Sequence, residues 1–160
     1  MNIKFDHLAV QIPHARLENT VKWYIDFFDC KKNWEQHTSF EPLTHERIPG
    51  IQSIVELECK AFRFHIFGRE PLNENVVTEY IQNHHVGFSV ADPIEIDRIE
   101  QQWKKLYQSQ NYLFTDNAYV TEKMTDSLGV DSIYFTDVNG LEFEVTCVPK
   151  MALYDRKYPS

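Results

Sequence analysis

The sequence predicts an α+β fold: two tandem βαβββ modules pairing into one curved, cupped mixed β-sheet with the helices on the outside. Three observations predict it. The stretches "DHLAVQI" (6–12) and "HHVGFSV" (84–90) both alternate apolar and polar residues, as half-buried strands do, at an offset of 85 − 7 = 78. Each is followed by apolar residues at helical spacing. Each module then ends in two further strand-like stretches that repeat at an offset of 144 − 65 = 79.

In the first strand Leu8, Val10 and Ile12 share one face, and His7, Ala9 and Gln11 share the other. Its twin puts Val86, Phe88 and Val90 on the apolar face and His85, Gly87 and Ser89 opposite. His84 has the opposite parity from His85; its twin is Asp6, and it reads as a strand-start residue. The first helix follows from Leu17, Val21, Ile25 and Phe28, the second from Ile96, Ile99, Trp103 and Leu106. The second helix has a legible start: Asp92 as N-cap, Pro93 as first helical residue and Glu95 as reciprocal capping partner. Trp23 and Tyr24 on the first helix read as packing residues.

Segment 31–51 holds the first module's second strand and a polar loop, and 110–130 does the equivalent less clearly. "QSIVELEC" (52–59) and "DSIYFTD" (131–137) are the third strands; "FRFHIFG" (62–68) and "LEFEVTC" (141–147) are the fourth. Asn139-Gly140 marks a tight hairpin in the second module, and Lys60-Ala61 takes that place in the first. The modules span 3–68 and 84–148, with a linker at 69–83 that includes a short helix around 74–82, and a tail at 149–160.

The helices need apolar surface to cover, so the Leu/Val/Ile faces lie under them and the histidines lie opposite. In the last strands Phe62, Phe64 and Ile66 go to the core with Arg63 and His65 opposite. Likewise Leu141, Phe143, Val145 and Cys147 leave Glu142, Glu144 and Thr146 opposite. His7, His65, His85 and Glu144 are therefore the expected metal constellation. Imidazole and carboxylate donors suit Fe(II), Mn(II), Ni(II) or Zn(II). His14, His37 and His45 read as solvated, Glu56 and Glu58 as a solvated edge or a cleft lining, and Arg63 as a substrate anchor or a partner of Glu142.

"FDHLAVQI", "VKWYIDFF", "NHHVGFSVAD" and "YFTDVNGLEFEV" carry a resemblance to the vicinal oxygen chelate superfamily, which includes glyoxalase I, methylmalonyl-CoA epimerase, extradiol dioxygenases and the fosfomycin and bleomycin resistance proteins. The resemblance covers residues 3 to 148 and implies metal ligands at the positions of His7, His65, His85 and Glu144. His65 departs from it: glyoxalases carry Glu there and epimerases Gln. Val138 stands where a proline is common. Extradiol dioxygenases hold iron with two histidines and a glutamate, at the positions matched by His7, His85 and Glu144.

Three activities follow as expectations. The first is a non-haem Fe(II) dioxygenase in which His65 handles a proton. The second is a glyoxalase- or epimerase-like lyase or isomerase with Glu144 as base, weakened by the missing second carboxylate. The third is a non-catalytic drug binder, which four intact ligand-type positions disfavour.

The formal net charge of -8 argues against a nucleic-acid partner, and 42% hydrophobic residues across 160 support a sizeable core. The expected partner is a small organic substrate, and a homodimer with exchanged modules is compatible with the repeat. The N-terminus shows no secretory signal and no apolar run suits a membrane span. With Cys30, Cys59 and Cys147 read as buried free thiols in a reducing compartment, a cytoplasmic location is expected.

Overall fold

The computed structural model describes residues 7–60, 62–70, 86–125 and 129–147. The chain forms two compact units, 1–80 and 81–160. Asp6, His84, His85, the expected linking helix at 74–82 and the tail 149–160 lie outside the described residues.

The first unit runs β1 (His7–Pro13), a 3-10 turn (His14–Arg16), α1 (Leu17–Phe28), β2 (Lys31–Gln36), α2 (Pro42–Arg47), β3 (Ile51–Glu58) and β4 (Arg63–Arg69). Its sheet has the order β1-β4-β3-β2, with β1 parallel to β4 and the other pairs antiparallel. The second unit runs β5 (Val86–Ser89), α3 (Pro93–Gln108), β6 (Met124–Thr125), β7 (Asp131–Thr136) and β8 (Glu142–Cys147). Its sheet order, β5-β8-β7-β6, repeats the first with the same strand senses. The repeat holds at the level of register: Leu8 pairs with Phe64 and Ala9 with His65, as Val86 pairs with Phe143 and Gly87 with Glu144.

Side-chain alternation follows the sequence reading. Ile12, Phe64, Ile66, Phe143, Val145 and Cys147 are buried, whereas His7, Ala9 and Gln11 are exposed. On α1 the buried stripe is rotated from the expected one. Leu17, Thr20, Trp23 and Tyr24 are buried; Val21, Ile25 and Phe28 are only half-buried. The two large rings cover more apolar surface than the aliphatics, and they pack edge-on within a cluster that includes Phe28 and Phe64. Trp23 and Tyr24 are thus packing residues, as expected.

On α3, Ile96, Trp103 and Leu106 are buried and Ile99 is half-buried. Trp103 Nε1 donates to the carbonyl of Thr136 at 2.7 Å, which ties the helix to the sheet. Asp92 caps the helix by accepting from the Ile94 amide at 3.0 Å, with Pro93 in the first turn. Glu95 does not close a capping box; its carboxylate is drawn instead to Arg98, one turn on.

The Asn139-Gly140 hairpin is present. Gly140 has φ +86°, and the buried Asp137 carboxylate accepts the amides of Asn139 and Leu141, both at 2.8 Å. In the first unit, Ala61 lies outside the described residues, and Cys59 donates its amide to the Phe62 carbonyl at 2.9 Å.

Two features were not legible. A six-residue helix, α2, sits in the expected polar loop, opened by Pro42. In the second unit β6 has only two residues, and 119–121 completes the edge: Thr121 and Thr136 hydroxyls accept the amides of Tyr134 and Tyr119.

The cysteine reading needs correcting. Cys30 and Cys59 are joined in a disulfide, because the end of α1 and the end of β3 bring them together; only Cys147 is a buried free thiol. The bond removes the scattered-thiol argument for a reducing compartment. No helix among the described residues is long and apolar enough to cross a membrane.

Candidate functional site

β1 and β4 present His7 and His65 on the non-helical face of the first unit. The two rings stack with centroids 4.0 Å apart and planes 16° from parallel. His65 stands opposite Ala9 in register, and so small a neighbour leaves room beside the ring.

His65 is also gripped from its other side. Glu56, directly opposite on β3, is 5% exposed and its Oε2 lies 2.7 Å from His65 Nε2. Asn33, at the bulge in β2, donates to Glu56 Oε1 at 3.0 Å, and Arg63 reaches Oε2 at 3.3 Å. The Asn33 hydrogen bond, then the His65 hydrogen bond and the Arg63 charge, hold the Glu56 carboxyl below its ordinary value of 4.5 against the opposing effect of burial. Glu56 is therefore ionised and accepts, so His65 donates to it from Nε2, and Nδ1 is the ring nitrogen not engaged by Glu56. Arg63, read as anchor or as partner of Glu142, is an ion-pair partner of Glu56.

In the second unit the same position of the last strand holds Glu144, half-buried. Tyr134 on β7 stands opposite and donates its hydroxyl to Glu144 Oε1 at 2.7 Å. That hydrogen bond, and burial after it, push the Tyr134 hydroxyl above its ordinary value. Oε2 lies 3.9 Å from where a Cβ on Gly87 would stand, so the glycine opens space beside the carboxylate. Tyr119 donates to the neighbouring Glu142, and burial first, then Glu142, push its hydroxyl up to about 12.

The repeat extends to these supports. Tyr134 is the twin of Glu56 (134 − 56 = 78), as Glu144 is of His65. In each unit the last-strand residue is held by its cross-strand neighbour: an acceptor for the imidazole, a donor for the carboxylate. Sequence reading missed Asn33 and Tyr134 and left Glu56 between a solvated edge and a cleft lining; the offset of 79 read for the third strands sets Glu56 over Phe135, whereas the register makes it 78 on this strand and pairs it with Tyr134.

His7 and His65 come together. Glu144 sits in the second unit with its own partner, and His85 lies outside the described residues. Among the described residues of either unit, no three His, Cys, Asp or Glu side chains group as a metal cluster. Of the histidines expected to be solvated, His37 is exposed near Glu35 at 3.6 Å, and His45 sits edge-on to Phe40. His14 is instead half-buried, with Nδ1 3.1 Å from Ser53 Oγ. Gly68 permits that approach, since a Cβ there would fall 2.3 Å from Ser53 Oγ and 3.0 Å from His14 Nδ1.

The Glu56 shift sets a sign for acid stability. A depressed carboxyl stabilises the fold fully above about 4.5 and loses that contribution as pH falls through its lower folded value. Glu56→Gln is expected to remove this limb from the pH dependence of unfolding measured in urea between about pH 3 and 6.

Solved structures share this fold. A glyoxylase/bleomycin resistance protein/dioxygenase domain from Frankia sp. EAN1pec superposes with a TM-score of 0.63 at 12% identity, over 93% of this chain and 98% of that one. The fold is that of the vicinal oxygen chelate proteins. Also alike in fold is the fosfomycin resistance protein FosX from Listeria monocytogenes, solved with Mn(II) and 1S,2S-dihydroxypropylphosphonic acid (TM-score 0.62, 14% identity, 97% and 100% covered). Lactoylglutathione lyase from Agrobacterium tumefaciens has a TM-score of 0.55 at 17% identity, over 91% and 93% of the two chains. No protein-family model and no curated protein matches the sequence.

The side chains present suit the divalent metal that this fold implies. A stacked imidazole pair, one member oriented by a buried carboxylate, and a carboxylate oriented by a phenol are donors with their outer partners in place.

Proposed function

We propose that the protein is a metal-dependent enzyme acting on a small organic molecule, and that it is a non-haem Fe(II) oxygenase. His7 of the first unit with His85 and Glu144 of the second would hold the ion as a two-histidine, one-carboxylate set; Ni(II), Zn(II) and Mn(II) suit the same donors. When bound, the metal supplies Lewis-acid chemistry and, as Fe(II), redox chemistry.

The observation that carries the reading is the Glu56–His65 contact at 2.7 Å. With Nε2 engaged by Glu56, Nδ1 is the ring nitrogen left to exchange a proton with the substrate. His65 is thereby equipped as a proton carrier, and the three remaining donors make a complete set without it. Were His65 a fourth ligand, the same Glu56 contact would orient it for that role.

The same contact also fits a second reading, a lyase or isomerase of the glyoxalase or epimerase kind. The second carboxylate that the last strand of the first unit lacks is supplied from β3 by Glu56, through His65. In that reading Glu144 removes a proton alpha to a carbonyl and His65 returns one. The FosX and lactoylglutathione lyase likenesses are compatible with it. Oxygen uptake and solvent-deuterium exchange, measured in parallel on Fe(II)-, Ni(II)- and Zn(II)-loaded protein across a panel of small phenols and ketones, separate the two. The oxygenase reading expects uptake with Fe(II) alone; exchange without uptake, with redox-inert ions equally effective, would overturn it.

A further inference from the structure

We infer that the cleft-side cavity of the first unit binds the body of the substrate, and that this body is uncharged, elongated and largely apolar, with a hydrogen-bond acceptor at the end remote from His7. The inference rests on the reading of His7 as a metal ligand and adds to it what the substrate must look like.

The cavity, open on the side of His7, Ala9 and Gln11, has a volume of about 420 Å³. That is nearly three times the roughly 150 Å³ that accepts a single benzene ring. His7, Ala9 and Gln11 run along one wall. Alternate residues of β1 share a face, so His7 and Gln11 are separated by about 13 Å along the strand. The space is longer than one ring requires.

Its other walls are apolar: Ile54 from β3, Phe67 from β4 and Ile48 just past α2. Among the described residues lining it there is no Lys, Arg, Asp or Glu. A charged body resting against Ile48, Ile54 and Phe67 would lose hydration there without a counter-ion beside it, which disfavours a charged core; the Arg69 guanidinium stands only at the Gln11 end.

Gln11 sets the far end. Its Oε1 accepts from Arg69 Nη1 at 2.7 Å, which fixes the direction of the amide. The amide Nε2, with two hydrogens, is the group left for a ligand, and it calls for a carbonyl, ether or hydroxyl oxygen. Thr44 on α2 adds a hydroxyl to the same cavity. The chemical class that fits is a neutral bicyclic or similarly elongated ketone or phenol, oxygen-substituted at both ends. One end meets His7 and the other meets Gln11.

The test uses the full chain freed of metal, so that it does not depend on turnover. The neutral bicyclic ketone 6-propionyl-2-dimethylaminonaphthalene and the similarly sized anion 8-anilinonaphthalene-1-sulfonate are titrated by fluorescence. The ketone is expected to bind with blue-shifted emission, and the sulfonate at least roughly tenfold more weakly. Gln11→Leu is expected to weaken the ketone by about five- to tenfold. Ala9→Phe, which fills the middle of the cavity, is expected to abolish binding; Ile48→Asp, outside the sheet, takes its place if that variant does not fold. Equal binding of the sulfonate, or ketone binding indifferent to both Gln11→Leu and the cavity variant, would overturn the inference. Either result leaves metal content and oxygen uptake as they were, so failure here is distinguishable from failure of the oxygenase reading.

Discussion

Replacing Glu144 with alanine is expected to lower the affinity for divalent metal by more than about 100-fold and to abolish turnover. Changing an outer partner of a metal ligand typically costs about 10–100-fold, and loss of a ligand exceeds that. Tyr134→Phe supplies the comparison, because it removes the 2.7 Å hydrogen bond to Glu144 Oε1 and leaves the carboxylate in place. Its expected cost is about 10–100-fold, so the two variants should rank in that order when Fe(II) or Zn(II) affinity is measured by competition with a chelating dye. His65→Ala completes the series. If His65 carries a proton, its loss stops turnover and leaves metal affinity within about tenfold of the native protein; if it is a ligand, both fall together. Equal metal affinity for Glu144→Ala and the native protein would remove Glu144 from the site.

The second large effect concerns stability. Cys30 and Cys59 are 29 residues apart and their bond ties the end of α1 to the end of β3. Asp29, just before it, turns the chain with φ +54°. Cross-linking a loop of this length restricts the unfolded chain by about 3–4 kcal/mol in the chain-entropy account. Reduction, or the double substitution Cys30→Ala with Cys59→Ala, is therefore expected to lower the unfolding free energy by about that amount and the midpoint by about 10 °C. Thiol titration in denaturant should find one thiol of the three, that of Cys147, whose ionisation burial pushes up in the folded state. Three titratable thiols, with a melting curve unchanged by reductant, would contradict the bond.

Much of this architecture was legible because strand periodicity and the repeat constrain each other. An alternation of two assigns His7 and His65 to one face and Leu8 and Phe64 to the other, and the offset near 78 carries the same assignment to Glu144 and Phe143. What was not legible depends on contacts between distant segments. Glu56 and Glu58 have the same parity, yet Glu56 is buried and Glu58 exposed. The difference is that Glu56 falls opposite His65 and beneath Asn33, while Glu58 lies at the strand end opposite Arg63. The cysteine pair was obscured because neither neighbour nor spacing links a helix end to a strand end. The stripe on α1 shifted because spacing counts Val21 and Ile25 equally with Trp23 and Tyr24, whereas packing weights them by area. The reciprocal role of Glu95 failed because Arg98, a nearby cation on the exposed face, competes for its carboxylate.

The central claim is that His7, His85 and Glu144 together hold a divalent ion. The most direct measurement is the number of Fe(II) ions retained per chain after anaerobic reconstitution and desalting, for the native protein and for His7→Ala, His85→Ala and Glu144→Ala. The account predicts one Fe(II) per native chain and none in each variant, with folded circular dichroism spectra throughout. One Fe(II) retained by any of the three folded variants, or none by the native chain, would contradict it.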